Sequence, residues 1–86
     1  MGAMKKFRSS IHSEKQLWLR QHFIEQRKAL GLSQRALSER LGVIYSLIGK
    51  IETGDRRLDI LEFLDYCQAL ELDPVELLQQ LQLLQR

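Results

Sequence analysis

Ser33 to Arg57 reads SQRALSERLGVIYSLIGKIETGDRR, and its punctuation divides it into two short helices, a glycine turn and a basic loop. Ser33 suits the cap of the leading helix, in which Ala36, Leu37 and Leu41 fall inward and Ser38 is small enough to admit a neighbouring helix. Gly42 follows after only about two turns, where a sharp reversal of the chain requires positive φ. The next helix spans roughly Tyr45 to Thr53 and stops at Gly54. At about 100° per residue, Ile44, Leu47, Ile48 and Ile51 share one face of it, while Tyr45, Ser46, Gly49, Lys50 and Thr53 share the other. A helix with an apolar back and a polar, lysine-bearing front is anchored on one side and presented on the other. Two short helices about one glycine match a helix-turn-helix over about residues 33–53.

Upstream, Ser13-Glu14-Lys15-Gln16 has capping-box spacing and starts a helix that runs to about Leu30, with Gly31 as its left-handed stop and Leu32 as a core anchor. Leu17, Leu19, Phe23, Ile24 and Leu30 make the inward stripe, yet Arg20 and Arg27 fall in the same arc. A cation there either snorkels to water along its stem or pairs with a carboxylate, for which Glu52 is the candidate. Trp18 points away from the stripe, and packing on the last helix or on a second subunit are both open. Met1-Gly2-Ala3 ahead of Met4 reads as an expression scar, and Lys5 to His12 as a flexible basic arm, so residues 1–12 stand outside the domain. The arm is either a solubilising tail or a contact to phosphates.

Downstream, Asp55-Arg56-Arg57 forms the loop, and Asp59 with Glu62 repeats the capping-box spacing. Ile60, Phe63, Leu64, Cys67 and Leu70 mark an amphipathic fourth helix. Asp73-Pro74-Val75-Glu76 opens a fifth over about 74–85, with Asp as cap and Pro at the first helical position. Its Leu77, Leu78, Leu81, Leu83 and Leu84 cover more than one face, which allows either docking on the core or self-association through this C-terminal helix. The whole of 13–86 is therefore expected to be one all-α domain, a compact bundle of five helices.

The 86 residues leave no room for a second domain, and 44% apolar content with one proline favours helices over disorder. No run reaches the ~18 apolar residues of a membrane span, and no signal-peptide region follows the N-terminus, so a cytoplasmic location is expected. Cys67 is the sole cysteine, which excludes an internal disulfide and a zinc site of the usual spacing and places it in the core. The net charge of +2 conceals a polarity. Residues 1–57 carry 12 Lys/Arg against 5 Asp/Glu, whereas 58–86 carry 1 against 6. An anionic partner for the basic half follows, nucleic acid being the commonest, although charge alone does not separate it from an acidic protein or a membrane surface. His12 and His22 are isolated, no Ser or Cys has a recognisable base in a motif, and Gly42, Gly49 and Gly54 do not form a dinucleotide fingerprint. No catalytic residue, metal, cofactor or small-molecule ligand is expected, and the chain reads as a binding module rather than an enzyme.

The series Arg27, Gly31-Leu32-Ser33-Gln34, Leu37, Leu41-Gly42-Val43, Ile48, Ile51-Glu52, Gly54 and Arg57 resembles the Cro and phage-repressor type of helix-turn-helix domain, the Xre-like transcription regulators, over about residues 16 to 82. The resemblance implies a sequence-specific regulator that binds double-stranded operator DNA as a two-fold homodimer, with the helix at about 45–53 in the major groove. Carried over by position, it implies base contacts from Tyr45, Ser46, Gly49 and Lys50, phosphate contacts from Gln34, Thr53, Arg56 and Arg57, and a structural ion pair between Arg27 and Glu52. Three departures stand out. Ile44 occupies the position of the family's Ser or Thr cap, which makes Ser46 the candidate cap of a late-starting third helix; Tyr45 replaces a typical glutamine; and Gly49 replaces a larger polar reader. The alternative is a helix-turn-helix-derived protein-interaction module, an antitoxin or adaptor, gripping its partner through Tyr45 and the leucine-rich last helix.

Overall fold

The computed structural model describes residues 13–84, so the expression-scar and basic-arm readings, and the last residues of the expected C-terminal helix, lie outside the described residues. Five helices follow one another: α1 (Glu14–Ala29), α2 (Gln34–Leu41), α3 (Tyr45–Thr53), α4 (Ile60–Ala69) and α5 (Pro74–Leu83). The all-α expectation and the order of elements hold.

Four of the five starts use the side chains that the sequence supplies. Ser13 accepts from the Gln16 amide and Ser33 from the Ala36 amide. Asp59 and Glu62 exchange side-chain-to-backbone bonds in a complete capping box, and Asp73 accepts from the Val75 amide ahead of Pro74. α3 differs. It begins at Tyr45 with extended Ile44 as its cap residue and no side-chain capping bond, so Ser46 is not a cap but the second residue of the helix. Its start relies on tertiary packing.

The core gathers Phe23, Leu37, Ile48, Ile51, Phe63, Tyr66, Cys67, Leu70 and Leu77 from all five helices. The Phe23 ring is the hub, 4.8 Å from Tyr66 and 6.2 Å from Phe63. Burial, with a smaller push from Asp73, raises the Cys67 thiol to about 11, which keeps it a protonated core residue at neutral pH. Trp18 packs within its own chain, partly buried against the core and stacked at 4.9 Å on His22.

Four residues expected to face inward do not. Ile44 is 73% exposed because it precedes the helix as its cap residue and does not share the inward face of its wheel. Leu17 lies roughly 120° round α1 from Phe23 and stays exposed. Ile60 shares a face with Cys67 but stands at the outer end of α4, and Leu64 lies on that helix's flank; both are exposed.

Two ion pairs position α3. Arg27 of α1, buried, donates from Nε and Nη2 to Glu52 of α3 at 2.6 and 3.1 Å, and from Nη1 to the Leu32 carbonyl at 2.8 Å. Arg56 closes the loop after α3: its backbone amide bonds the Lys50 carbonyl, while its guanidinium meets Glu62 at 2.7 and 3.1 Å and the Arg57 carbonyl at 3.2 Å. The end of α3 is thereby tied to the start of α4. Gly54, φ +88, ends the helix under the Arg20 guanidinium, whose Cζ would stand 2.7 Å from any Cβ added there. Arg20 and Arg27, neighbours on the wheel, therefore do different jobs.

Removing one partner of the buried pair strands the other. Glu52→Ala is expected to cost about 3–5 kcal/mol in urea unfolding, a large part of the stability of a domain this size. For the loop pair, Arg56 and then the Asp59 amide hold the Glu62 carboxyl below its ordinary value of 4.5. Its contribution is complete above that value and disappears as the pH falls through the lowered folded value. Glu62→Gln should therefore be less stable than the parent at neutral pH, and the gap should close on acidification, as read by urea midpoints across a pH series.

Candidate nucleic-acid interface

The outward face of α3 carries the residues expected to read bases. Ser46 and Lys50 are exposed, Tyr45 is 47% exposed, and Gly49 is half-buried between them and α2. Ile48 and Ile51 are buried on the opposite side, 0% and 4% exposed. The face is held rigidly from behind by the core and by Glu52, which is the physical requirement for reading a groove.

Gln34, the first residue of α2, sits across α3 at Gly49 and donates from Nε2 to Glu52 Oε1 at 2.8 Å. A primary amide has two N–H donors, so one holds the buried pair and the other remains available. The side chain thus links α2 to the same carboxylate that fixes α3 to α1. Gly49 is what Gln34 passes over, but the fold does not demand glycine there: an added Cβ would meet Gln34 Oε1 at 3.9 Å, an ordinary contact.

The four residues expected at phosphates fall into two groups. Gln34 lies against the middle of α3 at Gly49, and Arg57, in the loop after α3, is exposed. Thr53 and Arg56 are engaged internally. The Thr53 hydroxyl donates to the Lys50 carbonyl at 3.2 Å or the Asp55 carboxylate at 3.1 Å, and Arg56 is held by Glu62. The Arg27–Glu52 pair forms as expected, away from the outer face.

One residue on this surface escaped the sequence reading. Arg35, second in α2, lies with its Cζ 4.5 Å from the centroid of the Tyr45 ring, in cation–π contact across the turn. No helical wheel relates residues on different helices, so the contact itself was invisible. A signal existed nonetheless, because a cation in a first turn without any acid is electrostatically out of place.

The sequence pattern of the helix-turn-helix family matches residues 23–77. Among solved structures, an XRE-family like protein from Pseudomonas syringae pv. tomato str. DC3000 is similar, with 37% identity and a TM-score of 0.79 over 88% of this chain and 95% of that one. No curated protein matches. The likeness covers the turn, the helix presented beyond it and the helices that hold it, and on that ground the chain belongs to the XRE-type helix-turn-helix family of DNA-binding regulators.

Proposed function

We propose that the protein is a cytoplasmic, sequence-specific transcription regulator that binds double-stranded DNA as a homodimer, with α3 in the major groove. The observation that carries this reading is the fixed, outward polar face of α3, backed by Ile48, Ile51 and the buried Arg27–Glu52 pair. Lys50 is the principal base reader, suited to guanine O6 and N7, with Tyr45 and Ser46 beside it. Gln34 and Arg57 take phosphates on either side, and Thr53 and Arg56 join them only by exchanging their internal partners. Val75, Leu78 and Leu83 on α5 are exposed and supply apolar surface for a two-fold contact.

Gly49 belongs to this reading. Since its surroundings admit a methyl group, the missing side chain serves the partner, letting the duplex approach the helix closely. The second reading, a protein-interaction module, is favoured by Ile44 at 73% exposure next to Tyr45, an apolar tip on the same turn.

Salt separates the two. Duplex affinity should fall linearly on a log–log plot between about 50 and 200 mM salt; absence of duplex binding at low salt leaves the protein-interaction module. Lys50→Ala should relax base preference at one position per half-site in a selection from random duplexes, whereas Arg57→Ala should weaken all sequences evenly and flatten the salt slope. Gly49→Ala should raise the stability of the free protein by up to about 1 kcal/mol and still lower duplex affinity. Equal or tighter binding by that variant would show that the glycine is merely tolerated.

A further inference from the structure

The arginines of α2 and of the loop after α3 differ in what holds them. Arg40 pairs with Glu71 at 3.2 Å and Arg56 with Glu62 at 2.7 Å, each neutralised within the chain. Arg35 has no carboxylate partner among the described residues; its guanidinium rests on the Tyr45 ring instead. A guanidinium stacked on an aromatic face keeps its in-plane N–H donors free and its orientation restricted. Its location is also costly in isolation, since the first turn of α2 carries the positive end of the helix dipole and no acid to offset it.

We propose that Arg35 is a further DNA-contacting residue, taking a backbone phosphate beside α3, and that Tyr45 is the positioning residue that holds it there. The assignment rests on α3 being the recognition helix. It follows from placement: in helix-turn-helix docking the first helix of the motif crosses the backbone while the N-terminal residues of the second meet the bases. Arg35 is on the former and is held against the first residue of the latter. The stack changes the role of Tyr45, whose ring works through Arg35 rather than only on a base.

The test measures binding of a mixed-sequence duplex of about 20 base pairs, long enough for two half-sites one turn apart, across a salt series, for the parent chain and for Arg35→Ala, Tyr45→Phe, Tyr45→Leu and Arg35→Ala/Tyr45→Leu. Melting curves confirm that each variant is folded; Arg35→Gln replaces Arg35→Ala if the latter is not. Arg35→Ala should lower affinity about tenfold and reduce the slope magnitude by about 0.9, the signature of one lost phosphate contact. Tyr45→Phe, which keeps the ring, should retain the parent slope. Tyr45→Leu should lose part of the same increment, and the double variant should lose no more slope than Arg35→Ala alone. An unchanged slope in Arg35→Ala, while the parent binds, overturns this proposal and leaves the DNA-binding reading intact. Independent, additive slope losses at the two positions overturn the positioning role of Tyr45. A parent chain that binds no duplex at low salt removes both readings together.

Discussion

The structure turns on one buried carboxylate. Glu52 receives two N–H donors from Arg27 and one from Gln34, so residues of α1, α2 and α3 converge on it. Taking two charges out of water costs several kcal/mol per ion, and the attraction between them repays this only when the remaining donors and acceptors are satisfied. Here they are: the third direction of the Arg27 guanidinium is taken by the Leu32 carbonyl. The arrangement contributes less as net stability than as geometry. An apolar replacement would still bury α3, but it would allow the helix to roll, whereas a bidentate pair has one orientation.

That single constraint explains why a nine-residue helix with a weak start can present a defined face. Isolated helices of this length are marginal in water, and α3 has neither a capping side chain nor an acid in its first turn. Ile48 and Ile51 fix its depth, Glu52 its rotation, and the Gly54 stop beneath Arg20 its end. The loop that follows returns to the helix through the Arg56 amide on the Lys50 carbonyl and is anchored to α4 through Glu62. Each device acts from behind or from the end, which leaves the side chains of Ser46 and Lys50 exposed beyond the scaffold that aims them.

Much of this was legible in the sequence because it is local. Ser13, Ser33, Asp59 and Asp73 identify helix starts through bonds made within three residues, and the glycines at 31, 42 and 54 take the left-handed conformations expected of them. The Arg27–Glu52 pair was legible for another reason: a cation on an apolar stripe either carries its charge to water along its stem or pairs with a carboxylate, and Glu52 was the candidate partner. What was not legible depends on where helices end against one another. The wheel assigned Ile44, Leu17, Ile60 and Leu64 to inward faces, but burial also requires a neighbour at that height along the axis, which periodicity does not encode. Glu71, the one non-glycine residue at positive φ among the described residues, takes the left-handed cap after α4, where the Leu72 amide bonds the Cys67 carbonyl just as the Leu32 amide bonds the Arg27 carbonyl after α1; a glutamate gives no local signal for that conformation. Arg35 on Tyr45 is likewise a relation between helices, and no pattern within one helix displays it.

The helix starts and interiors where local rules fail are not scattered. α1, α4 and α5 each carry an acid in the first turn and a capping side chain, whereas α2 has no acid but has Arg35 there, and α3 has no acid, no capping side chain and a glycine in its interior. Glycine in a helix interior costs about 1 kcal/mol relative to alanine, and an absent cap a similar amount. A scaffold selected for its own stability would correct these positions first, since Gly49 has room for a methyl group and Ile44 is exposed to solvent. Their concentration on two adjacent helices, facing one side, is the expected result when a surface is shaped for something outside the chain and its stability is supplied by the core. An anion satisfies two of these departures at once, because it complements both the Arg35 guanidinium, which has no carboxylate partner among the described residues, and the acid-free helix starts beside it.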